Sequence, residues 1–402
     1  MNRHHVVHVT TTDISLALLL GPQLRAFADA GYRVTGVSAP GPFVEELRAW
    51  GIDHLPLRHA TRAADPRRDL AALAELVRLF RRVRPDLVHT HNPKPGVWGR
   101  VAARIAGVPA VVNTVHGLYA QPHDRLAKRA AVYSIERVAA AFSHAELVQN
   151  GEDLAVLRRL GVGSAKLRLL GNGIDLCRFD PARAAPAAVA ATRAELGVAP
   201  SDVLCLAVGR LVAEKGYREL CAAAERLRNP FPNLRVVIAG PDEPAKRDAI
   251  TDRERAHWAG IAGVHFLGHR ADVFELYAAS DIYVLASHRE GFPRSAMEAA
   301  AMGLPIVATD IRGCRQVVEH GRTGLTVPVG EVGALARALA TLAADPDRRQ
   351  AMGGLARVKA EREFDQRRVI DLTLETYARL LRGRPRQDAG AAMNHPAPVT
   401  TP

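Results

Sequence analysis

Two glutamates, an arginine and a lysine stand in settings where they could do chemistry together. Glu290 and Glu298 occur in Ser287-His-Arg-Glu-Gly-Phe-Pro-Arg-Ser-Ala-Met-Glu298, with seven residues between them. Residues 282–286 before this stretch and 304–309 after it are apolar and read as buried strands. Residues 293–302 read as a helix: proline suits a first turn, Ala and Met favour the interior, and Gly303 stops it. Glu290 then sits in a turn and Glu298 inside the helix. A helix N-terminus offers unpaired N–H groups and the positive end of a dipole, which suits phosphate. Two carboxylates beside an anion site fit a ligand carrying both phosphates and hydroxyls, such as a nucleotide sugar. Two ordinary solvated helix glutamates would have the same spacing. Arg210 and Lys215 lie in a loop bounded by Gly209 and Gly216, directly after the apolar run 203–208. Arginine forks two hydrogen bonds to phosphate oxygens and lysine supplies a compact charge, although solvated loop cations are common in so basic a chain.

These residues need a scaffold, and 402 residues suffice for two domains, each with its own core. The formal charge of +12 admits nucleic acid, anionic lipid or anionic substrates as partners. No apolar run approaches the roughly 20 residues of a membrane span. The four cysteines, at 177, 205, 221 and 314, form no C-x-x-C and read as reduced thiols of a cytoplasmic chain. Residues 14–20 mimic the apolar part of a signal peptide. They lack a cleavage site and continue as an amphipathic pattern through Leu24 and Phe27, so a core helix is expected.

Strand-like runs at 5–10, 32–37, 86–91 and 110–115 alternate with helical patterns, which implies βαβ units and a parallel sheet. The clearest helix is 67–84, with Leu70, Leu73, Leu76, Val77 and Phe80 on one face. Ligands of open α/β sheets bind at the carboxyl ends of strands. That rule selects Asp13, His91 with Asn92 and Lys94, and His116 with Gly117. His89 and His91 share a strand face and could pair on a metal, but no third ligand has recognisable spacing; a polar strand end is the simpler reading. His116 reads either as a hydrogen-bonded core histidine or as a site residue. Gly171-Asn-Gly173 is a turn-prone hinge, and the Ala/Pro-rich residues 181–191 read as a linker. The domains are therefore expected at 1–180 and 181–363, the second restarting the strand–helix rhythm. Asp345-Pro-Asp347 reads as helix punctuation and not as a metal site. A last amphipathic helix is expected at 364–381, followed by disorder over 382–402.

Taken in order, Gly209-Arg-Leu with Glu214-Lys-Gly216, the Gly268 strand end, Ser280-Asp-Ile-Tyr-Val-Leu285 and Glu290-Gly-Phe-Pro with Glu298 resemble the retaining family 4 glycosyltransferases. Asn113-Thr-Val-His-Gly117 and Gly171-Asn-Gly-Ile-Asp175 are similar to that family too, and the resemblance spans most of residues 5–381. One departure is the first strand–helix turn, Thr11-Thr-Asp-Ile-Ser15, where many relatives carry two glycines.

The resemblance implies an α/β fold of GT-B type: two Rossmann-like parallel-sheet domains facing a central cleft, with the 364–381 helix packing back toward the first. It implies a catalytic set of His116, Glu290, Arg210 and Lys215. Arg210 and Lys215 would bind the donor diphosphate, Glu298 the ribose and Glu290 the donor sugar. Backbone at Gly209, Gly240, Gly291, Phe292 and Pro293 would face the donor, the base would lie against Gly268, His269 and Arg270, and His116 would touch the sugar. Asp13, His91, Asn92 and Lys94 would face the acceptor. No metal or other cofactor is required, since the cations take over neutralisation of the leaving diphosphate. The donor is a nucleotide-diphosphate sugar, UDP on family grounds, and the acceptor a saccharide or lipid-linked saccharide of bacterial polysaccharide or glycolipid synthesis. The expected location is the cytoplasm, peripheral to the inner face of the membrane, with residues 78–84, 100–104 and 125–129 meeting anionic headgroups. A nucleotide-sugar 2-epimerase, a glycoside hydrolase and a basic nucleic-acid-binding protein are the rival readings; the last lacks an aromatic stacking set.

Overall fold

The computed structural model describes residues 3–61, 65–91, 93–120, 124–244, 246–261 and 264–383. Asn92 and residues 384–402 of the expected disordered tail lie outside them. The chain forms two compact units. One is residues 1–170 with 370–402; the other is residues 171–369.

The first unit is built on seven parallel strands: β1 (His5–Thr12), β2 (Arg33–Ala39), β3 (Asp53–Pro56), β4 (Leu87–His91), β5 (Ala110–Val115), β6 (Ala145–Val148) and β7 (Leu167–Leu169). Their order is β3-β2-β1-β4-β5-β6-β7. Every residue of β4, β5 and β6 is buried, as expected for parallel strands covered by helices on both faces. Val7, Val9, Val88 and Val111 pack with Leu76, Leu79 and Phe80 of the helix Pro66–Val83. Asp65 caps that helix by accepting from the amides of Arg67 and Arg68, and Pro66 opens it. Leu70, expected on the inner face, is 66% exposed; Leu79 takes the buried place instead. Residues 14–20 belong to the core: a π-helix (Ser15–Leu19) runs into the helix Gly21–Asp29, burying Leu16, Leu20, Leu24 and Phe27. Among the described residues no helix is long and apolar enough to cross a membrane.

Arg100 corrects the expected basic face. It is 1% exposed and donates to Glu146 at 2.6 Å and to Glu136 at 3.1 Å. A guanidinium buried against two carboxylates cannot meet a headgroup. Arg78, Arg81, Arg82, Arg84, Arg104 and Arg125 are exposed.

The second unit carries six parallel strands: β8 (Val203–Val208), β9 (Leu234–Ala239), β10 (Val264–Gly268), β11 (Ile282–Leu285), β12 (Ile306–Thr309) and β13 (Gly324–Val327), ordered β10-β9-β8-β11-β12-β13. The chain runs outward one way from β8 and the other way from β11, and these two pair at Ile282–Cys205 and Tyr283–Leu206. The switch point lies between them, so their carboxyl ends are where a crevice opens. Residues 181–191 are not a linker. Pro181–Arg183 is a short turn of 3-10 helix and Pro186–Glu195 an α-helix; alanine favours helix and Pro186 suits a first turn. The division falls at residue 171 instead. There Ile174 exchanges backbone hydrogen bonds with the segment ahead of the last helix, Ile174 N–H to Phe364 O at 2.8 Å and Gln366 N–H to Ile174 O at 3.1 Å. Asp345 accepts from the Arg348 amide as a helix cap. Cys205, Cys221 and Cys314 are buried free thiols, and Cys177 is exposed.

Candidate active site

The loop after β8 is shaped by glycines that let backbone come close. A Cβ on Gly216 would lie 1.9 Å from the Ala286 carbonyl oxygen, and its φ of +73° suits glycine. This contact seats the loop on the end of β11 and carries Lys215 to Glu290, 75 residues away in sequence. Lys215 Nζ donates to Glu290 Oε1 at 2.5 Å, and Ser287 Oγ donates to the same oxygen at 2.8 Å. The Thr309 hydroxyl at the end of β12 donates to the Ser287 carbonyl at 2.5 Å. From the other side, a Cβ on Gly313 would lie 2.6 Å from the Glu290 carbonyl oxygen. Glu290 is thus fixed by the ends of β8, β11 and β12 together. Arg210 is looser: it donates to Glu243 at 3.4 Å and is 38% exposed, against 18% for Lys215.

Three more glycines join neighbouring strand ends. Gly209 N–H donates to Ala239 O at 2.9 Å and Gly240 N–H to Gly268 O at 2.8 Å. A Cβ on Gly240 would strike the Gly209 carbonyl oxygen at 1.8 Å, so no side chain fits between β8 and β9 here. Gly209, Gly240 and Gly268 make a bare backbone floor beside Arg210. The Arg270 side chain is held by carboxylates, donating to Asp272 Oδ1 at 2.7 Å and to Glu195 Oε1 at 2.6 Å. His269 stays at the strand end beside it.

The helix Arg294–Ala301 starts with Pro293 as an extended N-cap residue. Glu298 accepts from the Tyr277 hydroxyl at 3.1 Å, and that hydroxyl also lies 3.0 Å from Ser295 O. Burial pushes the Glu298 carboxyl up from its ordinary value, while Arg294, the Tyr277 hydrogen bond and Arg178 oppose the shift. Burial and the Glu298 charge in turn push the Tyr277 phenol well up. Before the helix, the Phe292 carbonyl accepts from Asn172 Nδ2 at 3.1 Å, and the Phe292 ring meets Phe364 edge-on at 5.9 Å. That holds Gly291-Phe292-Pro293 in place.

In the first unit the carboxylate of Asp13 is engaged by backbone, accepting from Ile14 N–H at 2.9 Å and Phe43 N–H at 2.8 Å. It therefore braces its turn. Lys94 pairs with Asp69 at 2.7 Å. His91 Nδ1 lies 3.1 Å from His116 Nε2. Sequence reasoning missed Ser287, Glu243, His8 and Tyr377. Ser287 stood in the quoted stretch, but only the fold turns its hydroxyl to Glu290. His8 and Tyr377 are 369 residues apart and had no local signal.

Residues 202–345 match the family model described as Glycosyl transferases group 1, and residues 23–178 the model described as Glycosyltransferase Family 4. The UDP-Gal:alpha-D-GlcNAc-diphosphoundecaprenol alpha-1,3-galactosyltransferase of Escherichia coli is 30% identical over 286 residues, covering 69% of this chain and 71% of that one. The chain belongs to glycosyltransferase family 4. As a family 4 chain it is a glycosyl-transferring enzyme, which sets aside the hydrolase and the nucleic-acid-binding readings. The glycogen synthase of Mycobacterium tuberculosis is 31% identical over 311 residues, 75% of this chain and 70% of that one. Among solved structures, Anabaena HepE in complex with UDP and glucose superposes with a TM-score of 0.78 at 21% identity, covering 94% of this chain and all of that one. That likeness establishes the GT-B fold, two parallel-sheet α/β domains.

Proposed function

We propose that this family 4 enzyme transfers a sugar from a UDP-sugar to a lipid-linked saccharide in bacterial glycan synthesis, with retention of anomeric configuration. The observation that carries the donor half is the meeting of Lys215, Ser287 and Glu290 at the β8–β11 switch point, with Arg210 and the glycine floor beside it. Cations there neutralise the diphosphate as the glycosidic bond breaks. Glu290 faces the sugar, Glu298 the ribose, and the amides at the start of helix Arg294–Ala301 the phosphates. The UDP and glucose bound by HepE support UDP as the nucleotide. His116 is assigned to the sugar by family resemblance. A donor phosphate oxygen takes the acceptor proton during front-face attack, so no enzyme nucleophile is needed.

The acceptor half rests on a different observation. In the first unit an apolar cleft of about 620 Å³ runs between helix Pro93–Ile105 and helix Leu126–Ala140. Val97, Trp98, Val101, Ile135, Val138 and Phe142 line it, together with Pro93 and Lys94 just after β4. Lys128, a turn before Val132 on the same helix, lies 5.9 Å from the ring of Tyr119, another lining residue. The polar lining is Asp69, Lys94, Ser134 and Glu136, and both nearby lysines are paired, Lys94 with Asp69 at 2.7 Å and Lys128 with Asp124 at 2.7 Å, so it is the apolar walls that suit the chain of an amphiphile. The E. coli relative, named for a diphosphoundecaprenol acceptor, favours that class over a free glucan. Ile135→Glu should raise the KM for a polyprenyl-diphosphate saccharide about tenfold, on the order of 1.4 kcal/mol, and leave UDP affinity unchanged. Proton NMR of the product should show the donor's anomeric configuration. An unchanged KM removes the cleft from the acceptor site, and an inverted product removes the front-face route.

The exposed arginines of helix Pro66–Val83 add a charged surface for anionic headgroups, each contributing about 1 kcal/mol near such a surface. The enzyme should sediment with anionic vesicles at low salt and be released at high salt. No binding at low salt excludes this electrostatic route to the membrane.

A further inference from the structure

The deepest polar feature of the first unit is a chain of side-chain hydrogen bonds through its core. Thr114 Oγ1 lies 2.7 Å from His89 Nε2, and His89 Nδ1 lies 2.5 Å from the Tyr377 hydroxyl. That hydroxyl lies 3.4 Å from His8 Nε2; His8 Nδ1 lies 3.1 Å from His91 Nε2; His91 Nδ1 lies 3.1 Å from His116 Nε2. The Gln149 side chain also hydrogen-bonds His116. His8, His89 and His91 are each 1% exposed, whereas His116 is only half-buried, at the carboxyl edge of the sheet. The chain thus runs from the last helix, Gln366–Leu381, to a ring that reaches the edge where ligands bind.

Each link joins one nitrogen to the next group, so the tautomers are not independent. A neutral imidazole has one N–H and one acceptor nitrogen. If His116 donates through Nε2, then His91 must donate through Nε2 to His8, and His8 through Nε2 to Tyr377. Tyr377, with one hydrogen, then donates to His89, which donates through Nε2 to Thr114. Reversing the direction puts every proton on Nδ1. In both directions all four histidines share one tautomer, and the Tyr377 hydroxyl is the joint that couples the two halves. Burial keeps the rings uncharged, holding His8 down at about 3 and His116 at about 4.

His8, His89 and His91 also bring three nitrogens within 4.8 Å of one another, near enough to suggest a metal. The hydrogen bonds speak for the relay instead: every ring nitrogen of the three already faces a partner in the chain.

We infer that His8, His91 and Tyr377 are positioning residues that fix the tautomer and direction of the His116 ring. This rests on the assignment of His116 to the donor sugar. The last helix then serves the reaction as well as closing the first unit's core, because its hydroxyl ties the tautomer of His116 to those of the other three rings.

Tyr377→Phe removes the joint while leaving the ring packed against Phe27 and Tyr32. We expect kcat to fall about tenfold, with donor KM, UDP affinity and melting temperature changed little. In the wild-type enzyme, long-range proton–nitrogen NMR should show His8, His89, His91 and His116 in one common tautomer. Mixed tautomers in the His8–His91–His116 segment overturn the relay, as does a stoichiometric zinc content lost on His89→Gln. His116→Ala separates the two levels. If it abolishes transfer while Tyr377→Phe does nothing, the relay fails and the donor assignment stands; if His116→Ala leaves transfer intact, the donor assignment itself fails.

Discussion

Glu290→Gln should slow single-turnover transfer by about 10²–10³-fold while UDP binds as well as before or more tightly. With Glu290 on the donor sugar as proposed, its charge faces the positive character that develops at the anomeric carbon and matters more in the transition state than in the ground state. The geometry adds a sign to the nucleotide effect. Lys215 shares its proton-rich end with Glu290 at 2.5 Å; neutralising the carboxylate leaves the ammonium freer for diphosphate. Ser287 can still donate to the amide oxygen, so the turn keeps its shape. Glu298→Gln should behave in the opposite way. In its proposed role as ribose partner, inside the helix Arg294–Ala301, it loses a charge-assisted contact of roughly 1.5–3 kcal/mol. UDP and UDP-sugar should both bind about 10–100-fold more weakly. Calorimetry with UDP and rapid-quench transfer at saturating donor separate the two variants. Glu290→Gln losing UDP affinity while Glu298→Gln keeps it reverses the roles; two wild-type-like variants make the stretch structural.

Lys215→Ala should weaken UDP binding more than Arg210→Ala. In the proposed donor site each removes one phosphate partner, a loss of about 1.5–3 kcal/mol for a charge-assisted contact. Lys215 is the more buried of the two, and its removal leaves the Glu290 charge with only the Ser287 hydroxyl, among the described residues, beside the proposed diphosphate. Arg210 leaves behind Glu243, which is 28% exposed and keeps access to water. We expect about 100-fold for Lys215→Ala and about tenfold for Arg210→Ala. If repulsion from Glu290 is part of the Lys215 effect, Lys215→Ala with Glu290→Gln should bind UDP better than Lys215→Ala alone. The double-mutant cycle reads that coupling directly. Equal losses in both single variants, with no rescue, leave the cations as independent surface charges.

The strands are legible in the sequence because parallel strands buried on both faces are continuous apolar runs, as in residues 203–208 and 282–285. Gly216, Gly240 and Gly313 could be read only as turn residues; that each admits a neighbouring backbone is a property of the fold. The unit boundary escapes because alanine and proline together are ambiguous. The same residues that make a loose linker also make the helix Pro186–Glu195, and the decision is made by tertiary packing against Leu276 and Ala279. Leu70 and Arg100 fail for a related reason. Periodicity places a residue on a helix face without saying where the neighbouring helix ends. No charge pattern reveals that Glu136 and Glu146, 36 and 46 residues downstream, will enclose Arg100. Among the site residues, those of the loop after β8 and the turn after β11 are legible as motifs. Their partners, Ser287 on Glu290, Glu243 on Arg210 and Tyr377 on the histidines, come from the topology alone.

The most direct test of the donor site is a calorimetric titration of the wild-type enzyme with UDP, compared with ADP, GDP and uridine. Binding of the folded protein by a ligand also raises its melting temperature, so thermal shift supplies an independent reading. The account predicts that UDP binds with one site per chain, that uridine without its diphosphate binds far more weakly, and that Lys215→Ala removes most of that difference. A nucleoside diphosphate that does not bind, or a uridine that binds as tightly as UDP, would contradict the placement of the diphosphate at Arg210 and Lys215.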